Sequence, residues 1–154
     1  MFYPLQTFSK QKPVDFQTVP LLLESNHPRV KAQLDEIARK ISPLVYHYTS
    51  EQRRSLHLGA VLACNFSNYL YSVADQYLAE QGVDFNLLKP LIVETANKIS
   101  HHAPVDVQTG PAVRGDHAVI ERHVNMLADH YDLQQLYQQM SDGIANLKAQ
   151  KKQL

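Results

Sequence analysis

The sequence predicts a mainly α-helical chain preceded by a short α/β segment. Three observations carry that expectation. Residues 1–49 alternate brief apolar runs with one helix-periodic stretch. From Ser50 onward the apolar residues recur only at helical spacing. Capping residues and glycines stand where those helical patterns begin and end.

The elements follow in order. Residues 2–8, rich in aromatic and β-branched side chains, predict a strand that starts almost at the first residue. A chain opening inside a strand reads as part of something longer. Residues 9–18 are polar and broken by Pro13, which predicts a loop. Residues 19–24 form a short apolar run, a buried strand. Residues 28–41 place Val30, Leu34, Ile37, Ala38 and Ile41 at helical spacing, with Pro28 in the first turn. Residues 44–48 give a third short strand. This order resembles the tail of a doubly wound sheet and sets a boundary between residues 49 and 50.

The second domain, residues 50–154, is expected to be all helical. Ser50 is the expected N-cap of a helix running to about Glu80, with Gly82 just past its end. Residues 58–70 are apolar on nearly all sides, which predicts burial by neighbouring helices or by a second subunit. Asp84 caps a helix over 87–101 whose first turn admits Pro90. A loop over 103–115 holds Pro104, Gly110 and Pro111. Asp116 caps a helix over 117–129. A last helix from Asp132 carries Leu133, Leu136, Tyr137, Met140, Ile144 and Leu147 as one apolar stripe, and its C-terminal lysines complement the helix dipole.

Composition narrows the function. Lys+Arg and Asp+Glu are both 15, so the net charge is zero, which argues against a nucleic-acid partner. No apolar run approaches the ~18 residues of a membrane span, and the N-terminus has no secretory pattern. The one cysteine, Cys64, allows no intrachain disulfide and favours a reducing cytoplasm.

Three places hold residues suited to chemistry. The loop Thr109-Gly110-Pro111-Ala112-Val113-Arg114-Gly115-Asp116 contains two of the five glycines. A Gly-Pro step fixes a tight turn, and a second glycine admits a backbone geometry that other residues resist. Arg114 between them suits a carboxylate or phosphate, held bidentately. The alternative is that Arg114 pairs with Asp116 or Glu121 while Asp116 only caps a helix. On the apolar helix, His57, Cys64 and Asn68 share one stripe with Asn65 beside it. His57 suits proton donation and Asn65 suits hydrogen bonding to a substrate oxygen, or both belong to a packing network. Cys64 reads as an inert buried thiol. His101, His102, Asp106, His117, His123 and His130 invite a metal reading, but neither HExxH nor a CxxC pair occurs, so no metal site is expected. Neither GxGxxG nor GxxxxGK[ST] occurs, so the chain has no recognisable phosphate-cradling loop.

Residues 57–66, HLGAVLACNF, then Pro90-Leu91, then TGPAVRGD over 109–116 and His123, resemble the C-terminal domain called domain of unknown function 2520. In that family the domain follows a Rossmann-like NAD(P)-binding domain, and the segment Tyr3-Pro4-Leu5-Gln6-Thr7-Phe8 resembles the later part of the Rossmann domain. The family is similar in plan to pyrroline-carboxylate reductases, ketopantoate reductases and deazaflavin-linked NADP oxidoreductases. The resemblance implies a helical domain like the C-terminal domain of 6-phosphogluconate dehydrogenase, a homodimer through the helices, and NAD or NADP as cofactor. It also implies a small carbonyl or imine substrate in a cleft. In some of these relatives a lysine stands one turn before the key asparagine; here that position is Val61.

The expected roles are then His57 or His123 for the proton, and Asn65 and Asn68 toward the substrate. Arg114 holds its anionic group, with Thr109, Gly110 and Asp116 shaping the loop. The reading is the substrate-binding and dimerisation half of a cytoplasmic NAD(P)-dependent oxidoreductase, with no nucleic acid and no membrane as partner. Its rivals are a non-catalytic dimeric helical interaction module and a metal-dependent helical hydrolase.

Overall fold

The structure, a computed structural model, describes residues 1–151, and within them the mainly helical chain with a short N-terminal α/β segment is what forms. The chain divides into two compact units, Met1–Val83 and Asp84–Leu154.

The first unit opens with a three-stranded sheet of order β1-β2-β3: β1 is Phe2–Pro4, β2 is Leu21–Leu23 and β3 is Val45–His47. β1 runs antiparallel to β2, Phe2 facing Leu23, and β3 runs parallel to it, Leu21 facing Val45. The strand expected over 2–8 stops at Pro4, because its partner β2 is preceded by Pro20, which has no N–H to extend the ladder. Past Leu5, whose N–H reaches the Pro20 carbonyl, the backbone turns to local bonds; the Gln6 carboxamide accepts from Thr7 N–H at 2.8 Å.

β2 sits centrally, and all three of its leucines are buried. Val19, Leu21, Leu23 and Ala38 form the core, with Phe2, Leu34, Ile41 and Val45 against them. The expected loop over 9–18 is not idle: Val14 and Phe16 pack on that core, and Phe16–Thr18 forms a 3-10 turn capped by the Asp15 carboxylate. Helix α1, Pro28–Ile41, has the expected bounds, with Pro28 in the first turn where its missing N–H costs nothing. Just past it Ser42 is buried; its hydroxyl donates to Val19 O at 2.8 Å and accepts from Leu44 N at 3.0 Å, stitching helix to sheet.

Helix α2 is Ser50–Ala60. Its N-cap is Thr49 and not Ser50. Thr49 Oγ1 accepts from Gln52 N at 3.2 Å and Gln52 Oε1 accepts from Thr49 N at 2.9 Å, a capping box. Ser50 is thereby freed to donate its N–H and its hydroxyl to Glu24, at 3.1 and 2.8 Å. The single helix expected over 50–80 is interrupted by a π turn, Val61–Asn65, and continues as α3, Phe66–Glu80. Gly82 follows the end of α3 as expected, with Gly82 N–H on Ala79 O and Val83 N–H on Leu78 O closing the terminus.

The second unit is helical among its described residues. Asp84 caps a 3-10 turn, Phe85–Leu88, before α4, Lys89–Ile99, so the helix expected over 87–101 is shorter at both ends. A further 3-10 turn, Pro104–Asp106, and a single helical turn, α5, Pro111–Arg114, occupy the expected loop. α6 is His117–Met126 and ends three residues early, because Leu127 and Ala128 N–H turn to the i−3 carbonyls of Val124 and Asn125. α7 is Tyr131–Lys151, with Lys148 and Lys151 in its last turn; Lys152 lies outside the described residues.

Candidate functional site

The sequence-predicted site residues fall on both units. His57, Asn65 and Asn68 lie in the first, and Thr109, Gly110, Arg114, Asp116 and His123 in the second.

In the first unit the site face is made by α2, the π turn and α3. Residues 58–70 were expected to be buried, yet Leu58, Leu62 and Phe66 are 60%, 55% and 51% exposed. No element of this unit covers them, so His57, Asn65, Asn68 and the Cys64 thiol, expected as buried polar groups, are exposed as well. The π turn also re-phases the helix. In a continuous α-helix Asn65 stands about 80° from His57, while Asn68 stands within about 20°. A π turn inserts one residue, a shift of about 100°. By its end Asn65 comes within about 20° of His57 and Asn68 moves to about 80° away. His57 and Asn65, and not His57 and Asn68, share the line. Eight residues separate them, about 12 Å along the axis at 1.5 Å per residue. They therefore lie on one line of the helix, roughly two turns apart.

The N-terminal end of that face is a groove of about 670 Å³ whose lining includes Tyr3, Arg54, His57, Leu58 and Val61. His57 Nδ1 stands 3.5 Å from the Tyr3 hydroxyl, a long contact that leaves Nε2 available. Beside the groove, Arg53 is buried and committed. Its guanidinium donates to Tyr48 O at 2.7 Å and Ser50 Oγ at 2.8 Å and pairs with Glu24 Oε2 at 2.6 Å. The Ser50 hydroxyl, then Arg53, hold the Glu24 carboxyl below the usual carboxylate range. The sequence reading missed Arg54 and Tyr3. Arg54 was within reach of it, since it lies three residues before His57 on the same helix face. Tyr3 was not, since strand pairing alone brings it there.

In the second unit the loop geometry depends on its glycines. Gly110 has φ 112° and ψ 175°, a region open in practice only to glycine, and Gly115 has φ 72°. Between them α5 packs through buried Ala112, and the Lys148 ammonium of α7 donates to Val113 O while Lys151 pairs with Asp106. Asp116 Oδ1 accepts from Val119 N at 3.2 Å and caps α6. The Arg114 side chain is exposed and has no ion pair with Asp116, Glu121 or any other described residue. Thr109 is exposed too. His123 is half-buried between α6 and α7; its Nδ1 lies 2.9 Å from the Tyr137 hydroxyl, the rings edge to face. Among the described residues no three His, Cys, Asp or Glu side chains are grouped to hold a metal, and no helix is long and apolar enough to cross a membrane.

Known proteins match this architecture. A proposed NADP oxidoreductase of Bacteroides fragilis shares the fold over 94% of this chain, with a TM-score of 0.88 and 46% sequence identity. A Thermotoga maritima protein of no stated activity matches 98% of the chain with a TM-score of 0.81 at 23% identity, a likeness of fold alone. The chain spans 56% and 62% of the lengths of these two proteins. No curated protein matches it. Residues 19–144, most of the chain, match the family described as domain of unknown function (DUF2520), and the chain belongs to that family.

Proposed function

We propose that this chain is the substrate-binding and dimerisation half of an NADP-dependent oxidoreductase acting on a small carbonyl or imine compound. The observation that carries the reading is the similarity, 46% identity over 94% of the chain, to a proposed NADP oxidoreductase. The residues present do not fit the dinucleotide itself. The strand-to-helix connections, residues 24–27 into α1 and 48–49 into α2, have no glycine, and the sequence contains no glycine-rich cradle for a pyrophosphate. The nucleotide is therefore assigned to the part of the relatives' length that this chain does not span.

Residues 1–49 then serve as the end of a Rossmann-like domain and 50–154 as the helical domain. Arg114, with its guanidinium uncommitted, holds an anionic group of the substrate. Asn65 and Asn68 face the substrate, and Asn65 orients the reacting oxygen or nitrogen. His57 or His123 handles the proton. Thr109, Gly110 and Asp116 shape the loop that presents Arg114. We place the protein in the cytoplasm, on its lone cysteine.

The second copy in a homodimer is assigned to the face of Leu58, Leu62 and Phe66. Residues 58–74 contain no charged side chain, so two copies meet there without like-charge repulsion, and the burial of three half-exposed large side chains drives the contact. The same face is what favours the rival reading, a dimeric interaction module with no catalysis.

The test is nicotinamide oxidation by the natural polypeptide over a panel of small aldehydes, ketones and imines. Turnover is expected with NADPH, and Asn65→Ala is expected to lower kcat/KM about a hundredfold, as loss of one orienting donor does elsewhere. Turnover that survives Asn65→Ala unchanged removes the assigned role.

A further inference from the structure

We infer that the groove of Tyr3, Arg54 and His57 is an oxyanion subsite, which takes the carboxylate or phosphate of a small ligand whose adjoining part is apolar. The inference rests on the proposed function only for the ligand's being a substrate; the binding itself stands on the following geometry.

Adjacent arginines on α2 have opposite fates. Arg53 is buried and neutralised by Glu24 at 2.6 Å. Arg54 is exposed, lines the groove, and forms no hydrogen bond or ion pair through its side chain among the described residues; Glu51, one turn earlier, is not within bonding distance of it. The groove lining has no Asp or Glu, so nothing there competes for that charge. Three residues on, His57 presents its ring to the same space, about 4.5 Å further along the axis. With Nδ1 turned toward the Tyr3 hydroxyl, Nε2 is the nitrogen left to donate to an oxyanion. A guanidinium and an imidazole one helical turn apart match two oxygens of one carboxylate or phosphate. Leu58 and Val61 give the remaining wall its apolar character, which a short hydrocarbon part would cover.

The subsite also divides labour along the helix. With the anion at Arg54 and His57, the rest of the ligand lies toward Asn65, about 12 Å further along.

The experiment is an NMR titration of the full chain, observing the His57 imidazole and Arg54 Nε signals, with butyrate in one arm and inorganic phosphate in the other. Saturable shifts of both signals are expected with at least one of the two anions, and the arm that saturates at lower concentration names the source. Arg54→Gln is expected to weaken that binding at least tenfold with the circular dichroism spectrum unchanged. Arg54→Lys restores part of it, and Lys31→Gln, on the exposed surface of α1, leaves it alone. Linear, non-saturating shifts in both arms, or equal affinity in Arg54→Gln, overturn the subsite. Failure of the oxidoreductase reading looks different: saturable anion binding by a natural polypeptide that oxidises no nicotinamide. NADPH turnover with an unaltered KM in Arg54→Gln sinks the subsite and spares the reading.

Discussion

Glu24 and Asp116 use a carboxylate in the same way, one from the residue after β2 and one from the cap position. Asp116 accepts from Val119 N at the start of α6, and Glu24 accepts from Ser50 N at the start of α2. Both place negative charge where helix amides are unpaired and the dipole is positive. Asp116 was legible in the sequence because its partner lies three residues away. Glu24 was not, because its partners Ser50 and Arg53 lie 26 and 29 residues further along the chain. The Glu24 carboxyl, held low by the Ser50 hydroxyl and then by Arg53, implies a pH dependence. Its folded value lies below its unfolded one, so the stabilisation is present above the unfolded value and is lost as pH falls through the folded one. Urea unfolding followed from neutral to acid pH should lose stability through that window, and Glu24→Gln should flatten that part of the curve. An unaltered acid limb in Glu24→Gln would show that the network contributes nothing.

At the scale of elements, what the sequence made legible was anything set by near neighbours. α1 kept its expected bounds because Pro28 and the spacing of Leu34, Ala38 and Ile41 all lie within one helix. The cap of α2 moved by one residue to Thr49, since Thr49 and Ser50 are both good caps and only the reciprocal bond with Gln52 decides between them. Thr49→Ala is thus expected to cost about 1 kcal/mol in thermal unfolding, the usual loss for an N-cap. An unchanged melting temperature in Thr49→Ala would show that the Thr49 cap contributes nothing. The π turn was illegible: residues 61–65 have ordinary helical spacing, and no residue among them breaks a helix. Yet the turn decides which of Asn65 and Asn68 stands in line with His57. The candidate site was therefore readable as a set of residues on one helix but not as a geometry.

For the whole molecule, the open question in the sequence was what covers residues 58–70, and the answer is that Leu58, Leu62, Phe66 and Tyr69 stay more than half exposed while Ala60, Val61, Ser67 and Leu70 are partly buried. A periodicity argument sees an apolar segment but not its partner, which is why burial and exposure could not be told apart. If a second copy supplies the partner, light scattering gives twice the chain mass, and Phe66→Asp, a charge placed on a charge-free face, gives the monomer with its helicity intact. A wild-type monomer at high concentration would hand that face to another partner.

The central claim is that these helices serve a nicotinamide enzyme whose nucleotide site lies outside the 154 residues. The most direct test is a fluorescence titration of NADPH into the natural polypeptide isolated from its source. Saturable binding of one nucleotide per chain, by a polypeptide longer than 154 residues, is the predicted result. A natural polypeptide of 154 residues that leaves NADPH fluorescence unchanged would contradict it and leave the dimeric interaction module in its place.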